Sequence, residues 1–198
     1  MPEKGVIETL DVRKPLQAKP VSRRGFLQAA TFALGGMALG PVFAKAAITQ
    51  DRCLAIHCPN TGETMRVIYW TPGDGYIKPS MDELSWVMRD FHLDVRKSID
   101  PKVLDQLYAL QLQLKPKQPI HIISGYRSPT TNARMRLQNR GVAKDSLHMR
   151  GMAVDLRMPD RDIKDLYRAA LSMKAGGVGY YPRSKFIHID SGVVRSWS

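Results

Sequence analysis

Cysteine is scarce in this sequence. The 198-residue chain has only Cys53 and Cys58. In a strand, residues five apart point to opposite faces of the sheet, so a disulfide between the two would strain the local geometry. His57 lies between them, but no second cysteine pair completes a zinc ribbon. We therefore predict that both cysteines are ordinary strand residues.

Several functional motifs are also missing. There is no His-Glu-x-x-His sequence, which excludes a helical zinc site of the thermolysin type. The stretch "GGVG" at 176–179 lacks both a following helix and the Lys-Ser/Thr pair of a phosphate loop, so nucleotide binding is not expected. No nucleic-acid recognition motif accompanies the net charge of +12, and nucleic acid is not an expected partner.

Long hydrophobic runs are missing too. The moderately apolar stretch at 29–44 is short for a membrane span, which needs roughly 20 apolar residues, and it contains glycines and a proline. It follows Arg23 and Arg24 in the setting Ser-Arg-Arg-x-Phe-Leu and precedes the small-x-small triplet at 44–46. This order is typical of an export signal of the twin-arginine (Tat) type. We predict that residues 1–46 form such a signal, that the protein works in the periplasm, and that cleavage leaves no stable membrane span. The alternative is a signal retained as an anchor.

The charge outside this segment stays basic. Residues 1–46 hold seven of the 30 Lys/Arg and three of the 18 Asp/Glu, which leaves 23 basic and 15 acidic residues and a net charge of +8. A basic surface suggests polyanionic surroundings. For an exported protein, these are the cell wall or anionic lipid. The sequence leaves the oligomeric state open.

The remaining residues are enough for one compact domain. "CLAIHC" and "TMRVIYW", joined by "PNTGE", predict a β-hairpin in the region 47–75. In the region 76–198, helix signals alternate with short apolar strands. Helices are expected to begin at a Ser80/Glu83 capping box, at Asp100-Pro101, at Ser128-Pro129 (ending at Gly141) and near Ile163. Strands are expected in "PIHIIS", "GMAVDLRM", "GGVGYY" and "KFIHID". The pattern predicts an α+β fold, with helices packed on a small, mostly antiparallel sheet.

Two of these strands place polar residues among apolar ones. Asp155 lies on the face of its strand opposite to Met152, Val154 and Leu156, and His188 shares a face with Asp190. If the strands are neighbours, Asp155 and His188 converge, and His148 in the preceding loop can reach the same point. Two imidazoles and a carboxylate leave one open position on a zinc ion, as in catalytic zinc sites. Spacing alone also allows ordinary core histidines.

Three motifs sharpen this interpretation. "SLHMRGMAVD" fits Ser-x-His-x-x-Gly-x-Ala-x-Asp, "FIHID" follows about thirty residues later, and "SGYRSPTTN" stands upstream. Together they resemble the zinc D-Ala-D-Ala peptidase family of cell-wall hydrolases, which is related to lysostaphin-type enzymes and to the hedgehog signalling fold. The likeness is greatest to the Tat-exported murein endopeptidases of that family and covers roughly residues 51–195.

The resemblance implies roles for individual residues. His148, Asp155 and His188 match the three ligands of one zinc ion. Arg127 matches an arginine that polarises the scissile carbonyl and stabilises the developing oxyanion. Tyr126, in the same motif, and Ser146 are expected to contact substrate, which would be the stem peptides of peptidoglycan.

One feature departs from the family pattern. Many relatives have a glutamate or histidine base shortly before the last zinc ligand, whereas residues 183–187 here contain neither. Asp190 is the nearest candidate for the base or proton shuttle. The alternative is that Asp190 orients a zinc ligand.

We therefore expect a zinc-dependent murein endopeptidase that hydrolyses peptide cross-links through a zinc-activated water. Two alternatives stay open: a D-Ala-D-Ala carboxypeptidase or dipeptidase, and a non-catalytic zinc-containing module that binds the cell wall. The sequence leaves open whether the cross-link joins D-alanine to diaminopimelate or two diaminopimelates.

Overall fold

The structure, a computed structural model, describes residues 50–139 and 141–198, so the predicted signal at 1–46 lies outside the described residues. Eight strands form one mixed sheet in the order β3-β2-β1-β4-β5-β7-β6-β8. Their bounds are β1 Arg52–His57, β2 Thr64–Thr71, β3 Gly75–Tyr76, β4 Ile120–Ser124, β5 Ala153–Arg157, β6 Gly177–Tyr181, β7 Phe186–Asp190 and β8 Arg195–Trp197. Neighbouring strands are antiparallel except β1 with β4 and β6 with β8. The predicted α+β class and mostly antiparallel sheet are confirmed.

Within residues 50–139 and 141–198, four α-helices accompany the sheet: α1 Lys78–Val87, α2 Pro101–Leu114, α3 Pro129–Gln138 and α4 Ile163–Met173. The predicted starts of α2 and α3 are confirmed, because Asp100 accepts a hydrogen bond from the Lys102 amide and Ser128 from the Thr131 amide. No helix within the described residues is both long enough and apolar enough to cross a membrane.

Two helix ends differ from prediction. The helix expected to begin at the Ser80 capping box begins earlier, at Lys78, and Ser80 is buried in its first turn. Pro79 accounts for the difference, since its fixed φ favours the first turn of a helix. The third helix ends at Gln138, not at Gly141, and Asn139 follows it in extended backbone.

The predicted hairpin is part of this single sheet. β1 pairs antiparallel with β2 and, on its other side, parallel with β4. The boundary expected after residue 75 falls inside β3. Cys53 lies within β1 and Cys58 directly after it, and both thiols are free. The Cys58 thiol donates to the Val87 carbonyl at 3.1 Å, and burial raises its pKa to about 11.

A polar cluster joins this hairpin to α2. The Asp105 carboxylate accepts hydrogen bonds from Arg52 (2.6 Å), from the Tyr69 hydroxyl (2.9 Å) and from the Tyr76 hydroxyl (2.7 Å). Tyr69 is fully buried, and burial followed by the adjacent carboxylate raises its pKa far above the usual value. The same causes raise the pKa of Tyr76 to about 12. Every partner in this Asp105 cluster is a donor, so the carboxylate is satisfied by the protein alone.

The hydrophobic core lies on one side of the central strands. Val154 and Leu156 of β5, with Ile187 and Ile189 of β7, are almost completely buried in it. Residues between them along each strand point the other way, because side chains alternate across a strand. The core therefore fixes which face carries Asp155, His188 and Asp190.

Candidate metal centre

Three side chains converge where β5 and β7 pair. Asp155 of β5 is directly opposite His188 of β7 in the antiparallel register. His148 comes from a short 3-10 helix, Leu147–Arg150, that precedes β5. The three residues are 2% (His148), 8% (Asp155) and 9% (His188) exposed. The expectation that these strands are neighbours and bring the two residues together is confirmed.

The ligand atoms of this group lie at metal-binding separations. His188 Nδ1 is 2.9 Å from Asp155 Oδ1, and His148 Nε2 is 3.3 Å from the same oxygen. The two nitrogens are 3.2 Å apart. Ligand atoms bonded at about 2.0–2.1 Å to a tetrahedral ion lie about 3.3 Å apart, so the group fits one metal ion. Among the described residues, no other group of three or more His, Cys, Asp or Glu side chains has this arrangement.

Hydrogen bonds orient both imidazoles. His148 Nδ1 lies 2.7 Å from the Gly125 carbonyl, which can only accept, so this nitrogen carries the proton. His188 Nε2 in the same way donates to Asp190 Oδ2 at 3.1 Å. His148 Nε2 and His188 Nδ1 therefore remain as the nitrogens that can bind a metal ion, and they bind it in their unprotonated form.

Charge in this group favours an ionised Asp155. Burial alone would raise the pKa of Asp155, but His148 and His188 outweigh it and hold that pKa far below its usual range. Burial would lower the pKa of His188, but hydrogen bonds to Asp155 and Asp190 raise it to about 8. A carboxylate that stays ionised is what a metal ligand must supply.

Arg127 lies beside this group. Its guanidinium is 3.6 Å from Asp155 Oδ2 and donates to Asn132 Oδ1 (3.3 Å) and Ser124 Oγ (3.4 Å). Its backbone amide donates to the His148 carbonyl at 3.2 Å. The arginine is therefore a buried positive charge, held by its neighbours at the edge of the candidate metal centre.

Asp190 lies behind His188 and is saturated with donors. Its side chain is 0% exposed and accepts from the Gly177 amide (3.0 Å), the Gly192 amide (2.9 Å) and the Arg195 guanidinium. Burial opposes ionisation, but these donors and His188 keep its pKa well below the usual range. Asp190 contacts the His188 nitrogen that points away from the candidate centre. Of the two predicted roles, this arrangement favours orienting His188 over acting as a base.

A cavity of about 270 Å³ leads to Asp155. Tyr126 and Arg127 line it, together with the aromatic side chains of Phe91, His92 and Phe186. Ser146 is buried at the start of the 3-10 helix and is not one of the lining residues. The roles of Tyr126 and Ser146 in substrate binding stay predictions.

Sequence reasoning missed three parts of this centre: the Gly125 carbonyl, Arg195 and Trp197. A backbone carbonyl leaves no signal in a sequence. Arg195 and Trp197 lie in β8, which is too short to show a strand pattern. The only available signal was a basic residue five positions after Asp190.

Comparison with known proteins places this site in context. A family model described as "Peptidoglycan L,D-endopeptidase MepK" matches residues 46–197. The chain is 44% identical over 171 residues to the Peptidoglycan L,D-endopeptidase MepK of Escherichia coli (strain K12), covering 83% of this chain and 93% of that protein. It is 37% identical over 171 residues to the Probable peptidoglycan L,D-endopeptidase MepK of Haemophilus influenzae, covering 83% and 91%. All the candidate metal, catalytic and substrate residues lie within the matched region.

Proposed function

Because the chain belongs to the peptidoglycan L,D-endopeptidase MepK family, we propose that it hydrolyses an L,D-peptide bond in the cross-links of peptidoglycan. Family membership also confirms the resemblance to cell-wall metallopeptidases. The observation that carries the proposal is the convergence of His148 Nε2, Asp155 Oδ1 and His188 Nδ1 on one point beside Arg127.

The bond type selects between the two cross-links that the sequence left open. A bond from D-alanine to diaminopimelate joins two D centres, whereas a bond between two meso-diaminopimelates joins an L centre to a D centre. We therefore propose the diaminopimelate–diaminopimelate cross-link as the substrate.

The residues fit one zinc ion held by His148, Asp155 and His188. When bound, such an ion acts as a Lewis acid on the scissile carbonyl and lowers the pKa of a water to about 7. His148 and His188 are held in the required tautomer by the Gly125 carbonyl and by Asp190. The chain thus preorganises its ligands before the ion arrives.

The proposed role of Arg127 is to stabilise the oxygen of the scissile carbonyl. Its guanidinium is buried and anchored by Ser124 and Asn132, so it presents a fixed positive charge where negative charge develops during amide hydrolysis. Phe91, Phe186 and Tyr126 give the adjoining cavity apolar walls. These walls reduce the water around Arg127 and strengthen its attraction for the oxyanion.

Neither carboxylate of the candidate centre is suited to accept a proton from the water. Asp190 is shielded behind His188, so it acts through that ligand and not on substrate. Asp155 lines the cavity, and its Oδ2 lies 3.6 Å from Arg127. Because its pKa is held far below the usual range, Asp155 serves as a metal ligand and is too weak a base to accept the proton of the water.

The proposed location is the periplasm. The twin-arginine signal predicted at 1–46 and the basic charge of the remaining chain support delivery to an anionic cell wall.

The test is mass spectrometry of cross-linked muropeptides incubated with the full chain, with and without chelator. Dimers carrying a diaminopimelate–diaminopimelate link should become monomers, chelator should stop the reaction, and zinc should restore it. Dimers linked through D-alanine serve as the matched control and should persist. Release of free D-alanine instead of monomers would indicate a carboxypeptidase. Zinc binding without any cleavage would indicate a binding module.

A further inference from the structure

The C-terminal strand β8 lies against the back of the candidate metal centre. It pairs parallel with β6, so that Arg195 is opposite Gly177 and Trp197 is opposite Gly179. On the other side of β6, Gly179 is opposite His188. One glycine thus separates a metal-ligand candidate from the indole of Trp197.

Arg195 reaches the candidate centre through Asp190. Its guanidinium donates to both carboxylate oxygens of Asp190, at 2.7 Å through Nη2 and 3.2 Å through Nη1. This two-point contact fixes the carboxylate plane, and the same carboxylate accepts from His188 Nε2 at 3.1 Å. A chain of three side chains therefore runs from β8 to the nitrogen that sets the orientation of His188.

Trp197 holds the same imidazole from another side. Its ring centroid lies 5.2 Å from that of His188, and its Nε1 donates to the Tyr181 hydroxyl at 2.8 Å. Arg195 in turn lies 5.0 Å from the indole centroid, which ties the two β8 side chains together. A Cβ at Gly179 would be 2.7 Å from the indole ring, so only glycine at 179 lets Trp197 approach.

We propose that Arg195 and Trp197 are positioning residues that hold His188 in its metal-binding orientation. In this arrangement β8 restrains the orientation of His188, the third candidate ligand. The inference rests on the proposed metal site, and it assigns to β8 a role in metal affinity. Partners behind a metal ligand typically contribute 10–100-fold to affinity or activity.

The first test measures the zinc dissociation constant of the full chain by competition with a chromophoric chelator. Arg195→Ala should weaken zinc binding about 10–100-fold, and Arg195→Lys, which keeps the charge, should recover part of the loss. Arg168→Ala removes an exposed arginine of α4 and should leave zinc affinity unchanged. Equal affinity in wild type and Arg195→Ala would overturn the proposal.

Gly179→Ala tests the contribution of Trp197 to the orientation of His188. Its added methyl group displaces the indole from His188 and leaves the Arg195–Asp190 pair in place. Zinc affinity should again fall, and the visible absorption of cobalt(II) bound in the same site should change because the ligand orientation changes. A wild-type cobalt spectrum with wild-type zinc affinity would argue against the contribution of Trp197.

A double-mutant cycle separates positioning from folding. Arg195→Ala leaves the buried Asp190 carboxylate without its arginine partner. In an Asp190→Asn background, that negative charge is absent. In this background Arg195→Ala should cost less than about 3-fold in zinc affinity. A repeated 10–100-fold loss would show that Arg195 does not act through Asp190. Failure of wild type to bind zinc would sink the proposed function instead, so the two failures are distinguishable.

Discussion

The partly exposed Asp105 cluster and the buried candidate metal centre are both groups of polar side chains, yet they are built in opposite ways. Asp105 meets three donors, from Arg52, Tyr69 and Tyr76, and needs nothing else. At the other group, His148 Nε2, His188 Nδ1 and Asp155 Oδ1 converge on one point. A carboxylate matched by donors stabilises a fold, whereas converging ligand atoms can hold a cation.

This difference in the balance of donors and acceptors distinguishes a structural polar group from a candidate functional one more clearly than exposure or pKa does. Tyr69 and Asp155 both have strongly shifted pKa values and are both buried. Only the balance of donors and acceptors distinguishes them. Asp190 is saturated with donors like Asp105, but one of its donors is the candidate ligand His188, so it supports the metal centre.

The largest effect should come from His188→Ala. Removing one converging acceptor should abolish zinc binding and lower muropeptide hydrolysis on the order of 10³-fold or more. The zinc-induced rise in melting temperature should disappear, because a ligand raises stability only by binding the folded state. Thermal unfolding with and without zinc, beside the hydrolysis assay, measures both. If His188→Ala kept the zinc-induced rise in melting temperature, the proposed distinction between the Asp105 cluster and the candidate metal centre would be wrong.

The next effect concerns Arg127→Ala. Hydrolysis should fall about 10²–10³-fold in kcat, the usual cost of losing one oxyanion donor. Zinc affinity should be retained or rise, since a positive charge 3.6 Å from Asp155 is removed. Steady-state kinetics and chelator competition on the same preparation check the two parts. Loss of zinc together with activity would make Arg127 a support of the metal site and not an electrophile.

The smallest effect is expected from Tyr69→Phe. Losing its hydrogen bond to Asp105 should lower the free energy of unfolding by about 1 kcal/mol. Hydrolysis and the zinc-induced rise in melting temperature should stay at wild-type values. Urea unfolding in chelator gives the stability, and the muropeptide assay gives the activity. Any loss of zinc response would contradict a purely structural Asp105 cluster.

Sequence reasoning was strongest where the determinant is local. Asp100 and Ser128 cap helices through backbone amides two and three residues away, and those helix starts are confirmed. Alternation along β5 and β7 likewise indicated that Asp155 and His188 share a face. Pro79 shows the limit of such reasoning, because it directly precedes Ser80 and favours a helix start at Lys78 over the start that Ser80 signals.

Long-range contacts explain the remainder. The role of Asp190 depends on Arg195, on Gly177 and on Gly192, which come together only when β6 and β8 pair. The Gly125 carbonyl reaches His148 across a sequence separation of 23 residues. No periodicity in the sequence encodes either contact, since each depends on how finished elements pack.

The two cysteines of the hairpin have a consequence for where this protein can fold. Cys53 and Cys58 are unbonded, and the Cys58 thiol, with its pKa raised to about 11, has little of the thiolate form that oxidises or exchanges. The fold holds no covalent cross-link that a reducing compartment would break or an oxidising one would have to make. Folding of the chain therefore needs no disulfide-forming catalyst.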